Sequence, residues 1–179
     1  MKTTRYVALL RGINVGGNSK VPMADLKKLL ESLGFSNVKT LLNSGNVLFD
    51  TSETLPALQT KLESQLQKTF GFPIHTIIRP VDDMCALVKA NPFAGITVTP
   101  ETRLYITFLS EKPTTTVPIP YESPEKDFRI LQVKDGILAS VFVLSAKRNS
   151  TDAMKVIEKE YGKKVTTRNW NTVLKIASL

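Results

Sequence analysis

A chain of 179 residues, 42% apolar and 22% charged, can bury a core and is too apolar to stay disordered, so it forms one large domain or two small ones. No leader of basic, apolar and small residues opens it, no apolar stretch nears the ~20 residues of a membrane span, and Cys85 is its single cysteine, so a cytoplasmic protein without disulfide or membrane segment is expected. One cysteine and one histidine exclude a Cys/His zinc site, and neither a metal nor a cofactor is expected.

The net charge of +8 is spread unevenly: residues 1–50 carry +4, 51–146 carry −1 and 147–179 carry +5. Basic ends that met in space would form a surface attracting phosphates, nucleic acid or acidic metabolites, and basic ends left apart would serve solubility.

Thr4–Leu10 (TRYVALL) is rich in β-formers and ends in a glycine loop, which predicts a buried strand. Pro22 suits a first helical position, Met23, Leu26, Leu29, Leu30 and Leu33 share one helical face, and Gly34 stops the helix. Residues 37–42 and 46–49 are strands joined by Asn43-Ser44-Gly45, so this pair is antiparallel. Thr54 caps a second helix whose stripe is Leu55, Leu58, Leu62, Leu66 and Phe70, closed by Gly71. Residues 73–79 (PIHTIIR) make a fourth strand, completing βαββαβ over residues 3–80. That order predicts a ferredoxin-like unit, a four-stranded antiparallel sheet with both helices on one face.

A third helix, about 82–90, ends at Pro92, and residues 91–100 form a linker. Residues 103–109 are a strand, 110–126 hold four prolines and no long helix, and 128–133 with 137–144 flank the hairpin signal Lys134-Asp135-Gly136. A helix at about 151–161, a short strand at 164–167 and a final helix at about 169–177 follow. The second half thus repeats the first with its first helix eroded. The fold class is α+β with two ferredoxin-like (βαββαβ-type) pseudo-repeats and mainly antiparallel sheets: residues 1–91 with the third helix, and residues 92–179 packed on them.

LLRGINVGG, VPMADLKKLLESLGF, NSGNVLF, NPF and TTRNWNTV, in that order, resemble the bacterial DUF1697 family of small uncharacterised proteins. The resemblance covers nearly the whole chain. It implies a compact α+β fold of paired ferredoxin-like units and brings no activity, substrate or cofactor.

The first stretch with chemical content is the loop Arg11-Gly12-Ile13-Asn14-Val15-Gly16-Gly17-Asn18-Ser19-Lys20. Gly12-x4-Gly17-Asn18-Ser19 lacks the lysine of a phosphate loop, since Asn18 stands in its place, and the antiparallel hairpin at 43–45 denies the parallel sheet, so nucleotide hydrolysis is rejected despite the VLFD run at 47–50. A weaker role survives. Gly12, Gly16 and Gly17 let backbone N–H groups face one concavity, Arg11 and Lys20 add charge, and Asn14 and Asn18 add directional donors, all suited to an anion. The plainer alternative is that the glycines only permit positive φ in a long connection.

Asn43, Ser44 and Asn46 are more polar than a tight turn demands, with turn chemistry alone as the alternative, and the topology puts them beside Arg11–Asn14. Arg168, Asn169 and Asn171 surround the start of the last helix, where free N–H groups hold phosphate or carboxylate; an ordinary cap with an exposed arginine is the alternative. Trp170, Val173, Leu174 and Ala177 share helical spacing, which reads as core rather than a base-stacking surface. Lys147-Arg148-Asn149-Ser150 is a basic turn that could extend a cationic rim or merely be solvated. His75 reads as a mid-strand residue, Cys85 as a buried thiol, and Ser44 has no base for a triad.

The best-supported function is a cytosolic binder of a phosphate-containing small molecule or nucleic acid. The alternative is a small-molecule enzyme with an Arg/Asn/Ser site at the same loops, a site that suits stabilising charge more than moving protons. A third possibility is assembly through an exposed sheet face. Tyr6 and Phe49 alone do not make the aromatic platform of an RNA-recognition sheet.

Overall fold

The computed structural model describes residues 3–16, 19–111, 117–145 and 150–179, with side chains from 154 onward in the last segment. Gly17, Asn18 and the basic turn at 147–149 lie outside the described residues. The protein is α+β, with five helices and two antiparallel sheets among these residues. It divides into two compact units, 1–85 with 176–179, and 86–175.

In the first unit, β1 (Thr4–Leu10), α1 (Met23–Ser32), β2 (Ser36–Leu41), β3 (Asn46–Thr51), α2 (Leu55–Phe70) and β4 (Thr76–Pro80) follow the expected order. The sheet order is β2-β3-β1-β4, all neighbours antiparallel, with Thr4 opposite Thr51 and Tyr6 opposite Pro80. The period-2 pattern of the strands meets the 3.6-residue pattern of the helices in one core. Tyr6, Ala8 and Leu10 of β1 and Val47 and Phe49 of β3 share it with Leu26 and Leu30 of α1 and Leu58, Leu62 and Leu66 of α2. Phe35 stacks on Phe49 with ring centroids 4.7 Å apart. Each buried valine, leucine and phenylalanine among them contributes about 1.5–3 kcal/mol by leaving water.

Val7, Leu9, Leu48 and Ile77, on the opposite face, are buried too. This double burial explains the unbroken apolar run VALL. It leaves this sheet without an exposed apolar face, and its Tyr6 and Phe49 are buried.

β4 begins three residues later than expected. Pro73 has no N–H for the ladder, and His75 precedes the strand. As an edge strand, β4 is covered by α2: Glu63 Oε1 accepts from Thr76 N–H at 2.8 Å, and Gln59 Nε2 donates to Thr76 C=O at 3.2 Å.

α3 (Val81–Ala90) leads to the second sheet: β5 (Thr102–Leu109), β6 (Tyr121–Glu122), β7 (Phe128–Lys134) and β8 (Ile137–Val143), then, after α4 (Ser150–Tyr161), β9 (Val165–Asn169). α5 (Trp170–Ala177) ends the chain. Its order is β6-β7-β8-β5-β9. β6 is unexpected inside the proline-rich stretch. Ser123 creates it, its N–H donating to Phe128 C=O at 2.8 Å and its Oγ accepting from Phe128 N–H at 3.1 Å, which lays Tyr121 against Ile130. Phe128, Ile130, Leu138, Phe142, Leu109, Val165 and the helical Ile157 form this unit's core.

Candidate functional site

β1 leaves its sheet between two neighbours. Leu10 N–H donates to Gly45 C=O at 2.8 Å on one side, and Arg11 N–H donates to His75 C=O at 2.9 Å on the other. The chain then turns through left-handed conformations at Gly12 (φ 67°), Asn14 (φ 57°), Gly16 (φ 66°) and Ser19 (φ 58°). Ile13 is buried between them and anchors the loop.

Asn14 organises the rest. Its Oδ1 accepts from Val21 N–H at 2.8 Å, and its Nδ2 donates to Val21 C=O at 3.0 Å and to Asn43 C=O at 2.9 Å. Its own N–H donates to Ser19 C=O at 3.1 Å. One side chain thus closes the loop on itself and fastens it to the 43–46 turn. The expected neighbourhood of Arg11–Asn14 and Asn43–Asn46 is present. Gly45 makes the fit possible, because a Cβ there would lie 2.6 Å from Ile13 Cδ1 and 2.9 Å from Leu10 Cβ, at a φ of 76°.

Of the two loop asparagines expected to offer donors, Asn18 lies outside the described residues and Asn14 spends its amide internally, as does Asn46 of the turn. Both amide hydrogens of Asn14 go to carbonyls, and buried Asn46 donates to Leu41 C=O at 2.8 Å and to Ser44 Oγ at 3.1 Å. They shape the loops rather than reach outward. Gly12, Gly16, Lys20, Asn43 and Ser44 are exposed and Arg11 is half-buried. What faces solvent here is backbone, the Ser44 hydroxyl, Asn43, two cationic residues and the aliphatic Val15 and Leu42.

The C-terminal candidates belong to the second unit. Arg168 is an interior residue of β9, opposite Ile106 and 7% exposed, whereas both the anion-binding reading and its alternative of an exposed arginine placed it accessible at the helix start. One guanidinium nitrogen donates to Thr166 Oγ1 at 2.8 Å and to Thr167 C=O at 2.9 Å. Burial lowers its pKa to about 10, so it remains charged at neutral pH. Asn169 ends β9 opposite Tyr105, and both Asn169 and Asn171 are exposed. Trp170 is half-buried with its ring edge-on to Phe93, centroids 5.3 Å apart. The buried face of α5 is Val173 and Ile176, not Leu174, which is 38% exposed.

The sequence reading took His75 for a mid-strand residue and missed its partner, Glu63. Glu63 Oε1 lies 3.0 Å from His75 Nδ1 while also accepting Thr76 N–H, so the chain's one histidine is held by a carboxylate at the base of the glycine loop. The signal was present as a Glu on the flank of α2's leucine stripe, but its partner lies 12 residues away and off the helix. Cys85 is exposed, where a buried thiol was expected; it sits off the buried face of Met84 and Leu87, and its Sγ lies 3.6 Å from Ala177 C=O. Among the described residues no three His, Cys, Asp or Glu side chains gather as a metal site would need, and no helix is long and apolar enough to cross a membrane.

The conserved bacterial protein SP0830 from Streptococcus pneumoniae is similar over 99% of this chain and 98% of its own, with 26% identity and a TM-score of 0.77. An unknown protein from Galdieria sulphuraria (15% identity, 94% and 98% of the two chains, TM-score 0.29) and Methanococcus jannaschii TBP (12%, 88% and 94%, TM-score 0.27) are too distant in shape to carry an argument. No curated protein matches the chain. The family model described as "Protein of unknown function (DUF1697)" matches residues 3–138, three quarters of the length and all of the loop and turn that Asn14 joins, and the chain therefore belongs to the DUF1697 family.

Proposed function

We propose that this is a cytoplasmic protein of two ferredoxin-like pseudo-repeats that binds a phosphate-containing anion, as a small molecule or within nucleic acid, on the rim made by loop 11–20 and turn 43–46. Supporting the repeat, the strands of the first unit are ordered second, third, first, fourth, and setting β6 aside the second sheet has the same order, β7-β8-β5-β9.

The observation that carries the binding reading is the fastening of Asn14 to Asn43. It assembles Arg11, Lys20 and Ser44 from two segments, 1–24 and 32–49, that contain no Asp or Glu at all. Cationic side chains gathered on one preformed rim concentrate anions, and left-handed residues turn successive N–H groups toward a bound oxyanion. Arg168 is outside this proposal, because it is buried and hydrogen-bonded within its own strand.

Titrating isotopically labelled protein with inorganic phosphate tests the reading by NMR. Amide shifts confined to residues 11–20 and 43–46 support it, and shifts elsewhere or none refute it.

A second reading, an enzyme at the same loops, draws on the Glu63–His75 pair, since the carboxylate holds Nδ1 and orients the imidazole as a proton-transfer group needs. It requires that His75→Asn abolish turnover of a phosphate ester that the wild type hydrolyses, with phosphate-induced shifts retained.

A further inference from the structure

The bond from Asn14 to Asn43 has an aliphatic residue at the neighbouring position of each loop, Val15 after Asn14 and Leu42 before Asn43. Val15 is 72% exposed and Leu42 47%. Neither contributes to the core, although Ile13, two residues from Val15, is fully used there. Leu42 also has a φ of 59°, a left-handed conformation that is costly for a branched side chain and natural for glycine or asparagine. Leu42 is thus strained and nearly half exposed, and it lies outside the core cluster. Strain of this kind is retained where a surface contact requires the side chain.

We infer that the ligand of this rim carries an apolar, flat group beside its phosphate: it is a nucleotide, whose base is covered by Val15 and Leu42 while its phosphate meets Arg11 and Lys20. This deepens the anion reading and rests on it. Charge complementarity selects the phosphate, and the exposed aliphatic pair selects among phosphates, because sugar phosphates and inorganic phosphate have nothing to bury against it. Free nucleotide and single-stranded nucleic acid share this chemistry.

Calorimetric titrations with ribose 5-phosphate, adenosine monophosphate and a short single-stranded oligonucleotide test the inference, on the wild type and on the Val15→Ser/Leu42→Gly double variant. Adenosine monophosphate should bind the wild type about tenfold more tightly than ribose 5-phosphate, as expected for partial burial of two aliphatic side chains. In the double variant that ratio should fall to near one. Leu42→Gly alone should melt at the same or a higher temperature than the wild type, so a lost preference cannot be put down to misfolding. An oligonucleotide that binds more tightly than the mononucleotide, with the same loss in the double variant, supports the inference with nucleic acid as the source. Equal wild-type affinities for adenosine monophosphate and ribose 5-phosphate overturn it while the anion reading stands. No binding of any phosphate overturns both.

Discussion

Asn14 and Asn43 are 29 residues apart in sequence and joined by a 2.9 Å hydrogen bond from the side-chain amide of the first to the backbone carbonyl of the second. The same amide group bonds both the N–H and the C=O of Val21. One short polar side chain therefore sets the shape of the loop and its place on the sheet edge, and the proposed rim depends on it.

Asn14→Ala removes all three bonds and leaves an alanine at a φ of 57°. The expected loss is about 2 kcal/mol, less than the sum of three buried bonds because the site is open to water. Urea denaturation measures it, and phosphate binding should weaken in the same variant.

Gly45 and Gly12 both have positive φ but differ in surroundings. A Cβ at Gly45 would overlap Ile13 and Leu10, whereas none of the described atoms lies within 4 Å of one at Gly12. Gly45→Ala should cost about 2–4 kcal/mol, combining backbone strain with overpacking, and Gly12→Ala about 1 kcal/mol from strain alone. Equal effects in thermal melts would show that packing at Gly45 is not what demands glycine.

Glu63 accepts from His75 Nδ1 and from Thr76 N–H at the open edge of β4. Glu63→Ala strands both donors and should destabilise the fold by about 1–3 kcal/mol. Glu63→Gln keeps an acceptor and should lose less. Hydrogen exchange at Thr76 reports the local effect, and protection unchanged in Glu63→Ala would contradict this account of the edge.

Arg168 is charged and buried at neutral pH, at a cost in desolvation. Arg168→Met should lie within about 1 kcal/mol of the wild type at pH 7, since losing the bonds to Thr166 and Thr167 offsets the relief. The pH dependence has a definite sign. The folded-state pKa is lowered to about 10 from the higher value of a solvated arginine, so as pH rises through and above 10 the unfolded chain binds more protons and stability rises with pH. The wild type should gain on Arg168→Met as pH is raised from about 9 to 11.5. A constant difference in urea midpoints would contradict it.

Much of the fold was legible because leucines at helical spacing and β-branched runs ending in glycine are local signals, and all five helices and the hairpins at 43–46 and 134–136 follow from them. β6 was not, since two residues carry no periodicity and Ser123 makes the strand through its hydroxyl. The burial of Arg168 was hidden for a related reason. The short strand was expected to stop at 167 with Arg168 at the start of the helix, whereas β9 runs on to Asn169 and the pairing with Ile106 puts Arg168 inside the sheet. In the candidate site, glycines and asparagines announced positive φ and the sheet topology brought loop and turn together. That Asn14 and Asn46 spend their amides on carbonyls was not legible, because those carbonyls belong to residues whose positions are set by the folded chain.

The central claim is that Arg11 and Lys20, held on the rim by Asn14, bind phosphate. The most direct test is a thermal-shift titration with adenosine monophosphate at low and high salt, on the wild type and Arg11→Ala/Lys20→Ala. A bound ligand raises the melting temperature by mass action, so the account predicts a concentration-dependent rise in the wild type, reduced at high salt and absent in the double variant. An equal rise in wild type and double variant, or none in either, would contradict it.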